Sequence, residues 1–219
     1  MLSLKDIKQD PQIDAFMKRA SLNLEAMGYT EHGYRHAGLV SSIAHNVLER
    51  LGYPPRSAEL AGIAGYLHDI GNVVSRDHHG QSSAALVMPM LSRLGMDHGE
   101  LAIIMAAVGN HEEEYGHPVN EVSAAVILAD KSDVHRTRVR KKDVTGMDIH
   151  DRVSYAAERS FLDVDAEKKI ITLNITIDIT ICPVMEYFEI FLTRMTMCRK
   201  AAQVLGCVFK IEINGAVLL

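Results

Sequence analysis

The chain has 219 residues, of which 47% are hydrophobic and 23% are charged, as is usual for a globular protein. Its formal net charge of −5 argues against a general nucleic-acid binder that relies on an excess of positive charge. Residues 1–8 carry charges where a signal peptide needs an apolar run, and no apolar stretch approaches the roughly 20 residues of a membrane-spanning helix.

Helical periodicity dominates the first 160 residues. Apolar residues recur there at steps of three and four, and glycines or prolines separate the periodic segments. The predicted helices are 10–27, 34–51, 57–69, 81–94, 97–108, 120–130 and 149–160. We expect Ser57 to cap the third of these helices and Gly71 to follow it as a C-terminal stop.

The pattern changes after Phe161. Every odd position from Ile171 to Ile181 is isoleucine or leucine and the even positions are polar, which predicts a strand with one buried face. Residues 161–164 are expected to pair with this strand, and a helix over 183–205 then leads to a last strand over 207–213. We therefore predict a mainly α fold. It consists of a helical bundle (1–160) and a small C-terminal α+β unit (161–219) with a strand pair, a helix and a strand, packed on the bundle or in a homodimer interface.

The three cysteines carry no recognisable metal or disulfide pattern. Cys182, Cys198 and Cys207 form an odd set without paired metal-ligand spacing. Reduced cysteines are usual in a reducing compartment, so we expect a cytoplasmic protein without membrane association.

Candidate metal ligands occur along the chain in a definite order. His68 and Asp69 place an imidazole beside a carboxylate at the end of an apolar helical segment, and both are ligands that divalent metals accept readily. The order of the whole set is His36, His68-Asp69, His79, His111 and Asp130. Clustering these groups in a helical core without a metal would cost about 1–3 kcal/mol per unsatisfied group. The ordered set therefore predicts a metal site, although His36 or His79 alone would be better explained as a structural side chain.

This ordered set resembles that of the HD superfamily of metal-dependent phosphohydrolases. The resemblance covers residues 33–140 and is clearest in Tyr66-Leu67-His68-Asp69-Ile70-Gly71 and in Ile127-Leu128-Ala129-Asp130-Lys131. In that family a helical bundle converges such side chains on one or two divalent cations. Carried over by position, the resemblance implies a first metal held by His36, His68, Asp69 and Asp130. It also implies a second metal that Asp69 bridges and that His79 and His111 ligate.

One position departs from the two-metal members of the family. These enzymes often carry two adjacent histidines where this chain has His111-Glu112. Glu112 is expected either to supply an oxygen ligand to the second metal or to point away and leave a water there. His79 and His111 favour the two-metal subgroup, within which the spacing is similar to hydrolases of dinucleoside polyphosphates and cyclic dinucleotides. The ligand types suit Fe, Mn, Co, Ni or Zn and do not choose among them.

The resemblance implies hydrolysis of a phosphoester or phosphoanhydride by a metal-bound hydroxide, with His68, Asp69 and Asp130 as the catalytic core. A bound metal can lower the pKa of its water from about 15.7 to about 7, which supplies hydroxide at neutral pH. The expected substrate is a nucleotide or another small phosphate ester.

Contacts to the substrate phosphate are less well defined by the sequence. Lys131, Asp133 and Arg136 are the candidates, although a solvated helix face is the simpler interpretation of the basic run 136–142. A rival hypothesis is a non-catalytic metal- or nucleotide-binding regulatory module. Such a module would act through its C-terminal unit, with the strand over 171–181 as a dimer or partner surface.

Overall fold

The computed structural model of the chain describes residues 1–140 and 147–218. Within these ranges the helices are α1 (Leu4–Gln9), α2 (Pro11–Ala26), α3 (Tyr34–Arg50), α4 (Pro55–Leu67), α5 (His79–Arg93), α6 (His98–Gly109), α7 (Glu121–Ser132), α8 (Ile149–Ala156) and α9 (Val184–Val204). The strands are β1 (Ala157–Asp165), β2 (Ile170–Ile177), β3 (Val208–Ile213) and β4 (Ala216–Val217). Lys141 and Lys142 of the predicted basic run lie outside the described residues.

The predicted helices are present, with differences at their ends that have local causes. Asp10 caps α2 by accepting hydrogen bonds from the backbone N–H groups of Gln12 and Ile13. The expected cap by Ser57 is wrong, because α4 begins at Pro55 without a side-chain cap. Proline suits the first turn of a helix, since its φ is already helical and it has no N–H group to satisfy.

Helices α4 and α7 form the centre of the bundle. From Leu60 to Leu67 every residue of α4 is buried, and from Val122 to Ser132 every residue of α7 is buried. A helix that is buried on all sides belongs to the core of a domain. The amphipathic helix α3 packs against both of them. Gly65 permits this close approach, because a Cβ at this position would lie 3.1 Å from the Ser41 backbone.

The predicted strand pair, helix and strand are present, and the sheet is larger than expected. The strand expected over 171–181 already ends at Ile177, because Asp178 accepts a hydrogen bond from the N–H of Thr180 in a turn that follows it. β1 and β2 are antiparallel with Leu162 opposite Leu173, and β2 and β3 are parallel with Leu173 opposite Ile211. The short β4 extends the sheet at β3. The helix expected over 149–160 is wrong over its last four residues, because β1 already begins at Ala157. The chain is therefore mainly helical but not all-α.

Helix α9 joins the C-terminal sheet to the bundle. It contacts both α7 and β3, and its buried residues Phe191, Met195 and Cys198 belong to the same continuous core as the bundle helices. The three cysteines are buried and free of disulfides. In the described part of the chain, no helix combines the length and the apolar character that crossing a membrane requires.

Candidate metal centre

Five separate elements bring the predicted ligands to one place at the centre of the bundle. His36 lies in the first turn of α3 and Asp130 lies near the end of α7, whereas His68 and Asp69 follow the last residue of α4. The first residue of α5 is His79, and His111 follows α6. All six side chains are buried.

Gly71 allows α5 to approach the end of α4. A Cβ at Gly71 would lie 2.1 Å from the carbonyl oxygen of His79, a distance that no side chain can tolerate. Ser83 of α5 stabilises this contact with the end of α4, because its hydroxyl donates a hydrogen bond to the carbonyl of His68 and accepts one from the N–H of Gly71. The expected role of Gly71 as a helix stop is therefore replaced by a packing role, which holds His79 against the His68-Asp69 pair.

The first cluster of ligand atoms contains His36, His68, Asp69 and Asp130. The Nε2 atoms of His36 and His68 are 3.2 Å apart. Asp130 Oδ1 lies 3.3 Å from Nε2 of His36 and 3.7 Å from Nε2 of His68. Asp69 Oδ2 lies 3.7 Å and 3.4 Å from the same two nitrogens. Four side chains thus present one atom each to a common point.

The second cluster is built around the other oxygen of Asp69. Asp69 Oδ1 lies 3.2 Å from Nε2 of His79 and 3.8 Å from Nε2 of His111, and these two nitrogens are 3.0 Å apart. Asp69 therefore offers one carboxylate oxygen to each cluster.

Each of the four histidines is fixed through its outer nitrogen. Nδ1 of His36 donates to Asp133 Oδ2 at 2.7 Å, and Nδ1 of His68 donates to the carbonyl of Gly65 at 2.8 Å. Nδ1 of His79 and of His111 donate to backbone carbonyls in the same way. A hydrogen bond at Nδ1 selects the tautomer and the ring orientation in which Nε2 is free to bind a metal.

The donor set fits a divalent cation. Nδ1 of each ring donates outward, so the Nε2 atoms of His36 and His68, which are 3.2 Å apart, need a metal ion or a proton between them. Asp69 Oδ2 is buried and has no hydrogen-bond partner within the described residues. Two groups, His36–His68–Asp130 and His68–Asp69–His111, each bring three ligand atoms within 4.8 Å of one another.

The ionised aspartates and the neutral His111 suit metal binding, whereas His68 has to release a proton first. Burial opposes ionisation of Asp69 and Asp130, but His68 beside the former and Lys131 beside the latter hold both pKa values well below 3.8. Burial lowers the pKa of His111 to about 4 and keeps its imidazole neutral. Burial would also lower the pKa of His68, but the two carboxylates raise it to about 10. A metal would therefore displace a proton from His68.

Glu112 lies behind His79. Its Oε1 contacts Nδ1 of His79 and accepts a hydrogen bond from the N–H of Gly80 at 3.2 Å. Its Oε2 is buried without a hydrogen-bond partner in the described part of the chain. Oε1 of Glu112 thus contacts the side of His79 that faces away from the second cluster, whereas Oε2 has no identified partner among the described residues.

The two clusters lie at the wall of a cavity of about 540 Å³, within the range of about 300–1,000 Å³ that is usual for small-molecule sites. Among the residues that the structure describes, its charged lining consists of six carboxylates and four cations: Asp69, Asp77, Glu112, Glu113, Glu114, Asp130, Arg76, Lys131, Arg138 and Arg194. Tyr29 and Tyr115 line it as well, and 42% and 51% of their surfaces are exposed. Arg76, Glu113 and Arg194 were not predicted from the sequence, and Arg138 belongs to the basic run for which a solvated helix face was the simpler interpretation.

Two of the predicted substrate contacts lie elsewhere. Asp133 is buried between Arg35 and the outer nitrogen of His36, so it orients a candidate ligand and does not face the cavity. Arg136 pairs with Glu158 at 3.1 Å and covers the ring of Tyr155. Neither residue is among those that line the cavity, so both expectations are corrected.

The helical bundle and its buried histidines and aspartates indicate a helical metal-binding protein. Comparison of the sequence with known proteins identifies the family. The family model described as "HD domain" matches residues 33–159, more than half of the chain. The chain belongs to the HD domain family, whose members are typically metal-dependent phosphohydrolases.

A curated relative matches over part of its length. Ribonuclease Y of Opitutus terrae is 30% identical over 118 residues, which make up 54% of this chain and 21% of that protein. The chain thus spans about a fifth of the length of this relative.

Proposed function

We propose that this chain is a binuclear metal-dependent phosphohydrolase that cleaves a phosphoester or phosphoanhydride bond of a nucleotide. The observation that carries the proposal is the placement of Asp69, which offers Oδ2 to one histidine cluster and Oδ1 to the other. A carboxylate between two sets of imidazoles is the arrangement expected of a ligand that bridges two divalent cations.

Each candidate ligand has a defined part in this proposal. His36, His68 and Asp130 would hold the first metal together with Asp69 Oδ2. His79 and His111 would hold the second metal together with Asp69 Oδ1. When bound, two divalent cations supply an activated water nucleophile and neutralise the charge of the phosphoryl oxygens. The outer hydrogen bonds keep each Nε2 aimed at its cluster, so little reorganisation is needed when the metals bind.

The charge balance of the cavity supports two metals rather than none. The described part of its lining has six carboxylates and four Lys or Arg side chains, so with neutral histidines these residues carry an excess of two negative charges. A phosphate would be repelled by such a surface. Two divalent cations would reverse this to an excess of two positive charges, which would attract an anionic substrate.

Two observations support a nucleotide as the substrate. Tyr29 and Tyr115 line the cavity and are about half exposed as residues, and base stacking on an aromatic ring contributes about 1–3 kcal/mol per base. The matched relative is named as a ribonuclease, and RNA is a polymer of nucleotides joined by phosphodiester bonds.

The proposal is tested by turnover of simple phosphate esters. The full chain is loaded with Mn²⁺ or Fe²⁺ and assayed with p-nitrophenyl phosphate, bis(p-nitrophenyl) phosphate and a nucleotide panel. We expect metal-dependent hydrolysis that falls more than about 100-fold in Asp69→Asn, because one isosteric change removes a ligand from both clusters. Asp163→Asn is the matched control, since this aspartate is exposed on β1. A chain that binds metal but hydrolyses none of these esters would contradict the proposal and favour a regulatory binding module.

A further inference from the structure

The cavity at the metal centre is not built by the HD-matched region alone. The family model ends at residue 159, yet Arg194 of α9 lines the same cavity as the two ligand clusters. α9 packs directly against α7, which carries Asp130 and Lys131. A residue from the C-terminal unit therefore reaches the site that the helical bundle forms.

Arg194 and Lys131 share one carboxylate oxygen at the cavity wall. Glu113 Oε1 lies 2.7 Å from Nε of Arg194 and 3.4 Å from Nζ of Lys131. Nε of Arg194 and Nζ of Lys131 therefore lie close to each other, because both contact the same oxygen atom. Glu113 belongs to the loop that follows α6, so the three side chains come from three different elements.

Both cations are held in place by further contacts. Nζ of Lys131 also lies 2.5 Å from Asp130 Oδ2, which places it directly beside a candidate metal ligand, and its side chain is only 7% exposed. The guanidinium of Arg194 lies over the ring of the buried Phe191, 4.5 Å from the ring centroid. The contact of Arg194 with Glu113 is made through Nε.

We propose that Lys131 and Arg194 form a binding site for a second phosphate of the substrate, which replaces the Glu113 carboxylate between them. The proposal rests on the proposed function, because the metal centre takes the first phosphate. A guanidinium offers several donors in a planar fork that matches a phosphate, and an ammonium adds a point charge beside it. The substrate class is thus a compound with two adjacent phosphoryl groups, and Arg194 and Glu113 determine the specificity.

The role of Glu113 follows from its position between the two cations. In the free protein it compensates their charge and holds both side chains in a fixed geometry. A ligand with a single phosphoryl group binds the metals through that group and has no second anionic group to displace the Glu113 carboxylate. A ligand with a second phosphoryl group can compete for both cations. Replacing Glu113 by glutamine removes the competing charge and should favour the second phosphate.

The test compares two ligands that cannot be hydrolysed. Binding of inorganic phosphate and of methylenediphosphonate to the Mn²⁺-loaded full chain is measured by calorimetry. We expect methylenediphosphonate to bind at least tenfold more tightly than phosphate in the wild type. Arg194→Gln should lower this ratio at least tenfold, Arg194→Lys should restore it in part, and Glu113→Gln should raise it. Arg199→Gln is the matched control, because Arg199 is an exposed arginine on the same helix.

The outcomes separate this inference from the proposed function. A ratio that stays unchanged in Arg194→Gln would overturn the second-phosphate site and leave the hydrolase proposal standing. An Arg194-dependent ratio in a chain without turnover would uphold the site and contradict the hydrolase proposal. A metal-loaded chain that binds neither ligand would overturn both. If Arg194 serves only to attach α9 to the bundle, Arg194→Gln lowers the melting temperature without changing the ratio.

Discussion

Asp133 accepts a hydrogen bond of 2.7 Å from Nδ1 of His36, on the side of the imidazole that faces away from the metal centre. Arg35 and Arg138 surround the same carboxylate, and the buried position of Asp133 would raise its pKa, but the contacts with His36 and the arginines lower it well below 3.8. The aspartate therefore stays ionised and holds His36 in the tautomer that presents Nε2 to the first cluster.

This contact predicts the effect of removing the charge at Asp133. Asp133→Asn should weaken metal binding by about 10–100-fold, which is the usual effect of losing a carboxylate behind a metal-ligating histidine. Affinity is measured by competition with a chromophoric chelator, and Asp163→Asn is the control. Unchanged affinity in Asp133→Asn would show that the bundle positions His36 without help from this carboxylate.

A second prediction concerns the glycine at the junction of α4 and α5. Gly71→Ala would place a Cβ 2.1 Å from the carbonyl of His79, so α5 must move and carry His79 away from Asp69. We expect a loss of stability of more than about 2 kcal/mol, as is typical of overpacking against backbone, together with loss of metal at the second cluster.

Gly38→Ala is the matched control for that substitution. Gly38 lies within α3 and a Cβ there would meet no atom within 4 Å, so alanine should stabilise the helix by up to about 1 kcal/mol. Both variants are measured by denaturant unfolding and by metal content. Equal stability of the two alanine variants would show that the junction of α4 and α5 can accommodate a Cβ at position 71 without loss of stability, which would contradict the prediction.

A third prediction concerns Asp10, which caps α2 and pairs with Arg93 at 2.7 Å. Asp10→Ala removes the cap and should cost about 0.5–2 kcal/mol, whereas Asp10→Asn retains an acceptor and should cost less. Denaturant unfolding of both variants at pH 7 measures the difference. Equal costs for the two substitutions would assign the effect to the ion pair rather than to the cap.

The pH dependence at Asp10 has a definite sign. Partial burial raises its pKa, but the contact with Arg93 and the two backbone N–H groups prevail and lower it below 3.8. Because the folded pKa lies below the unfolded value, the ionised group stabilises the fold above the unfolded pKa, and this contribution is lost as the pH falls through the folded pKa. The stability gap between wild type and Asp10→Asn should therefore be constant from pH 7 to pH 5 and shrink below about pH 4. A gap that widens on acidification would contradict this assignment.

Many residues of the candidate site were predictable from the sequence, because histidine and aspartate can be recognised as potential metal ligands from their residue type alone. Apolar periodicity placed His36, His68 and Asp130 at the ends of helices, and helices of one bundle share a core. The hydrogen bonds that orient the histidines were not predictable. Three of them go to backbone carbonyls, such as that of Gly65, which leave no mark on the sequence.

The errors have physical causes of the same kind. Residues 157–160 were predicted to continue a helix, but pairing with β2 draws them into a strand, so tertiary contacts override local preference. Asp133 follows Asp130 closely in the sequence, but α7 ends at Ser132 and the chain then passes behind His36. The role of Arg194 could not be predicted from the sequence, because its contact with Glu113 depends on the packing of α9 against α7.

The most direct test of the shared-carboxylate centre is the metal content of the full chain, purified without chelators, reconstituted with Mn²⁺ and compared with Asp69→Asn. Elemental analysis gives the stoichiometry, and electron paramagnetic resonance reports whether two Mn²⁺ ions are magnetically coupled. We predict two ions per chain with a coupled spectrum, and loss of the coupling with at most one ion in Asp69→Asn. Wild-type chain that binds no Mn²⁺, or an Asp69→Asn variant that retains two coupled ions, would contradict the account.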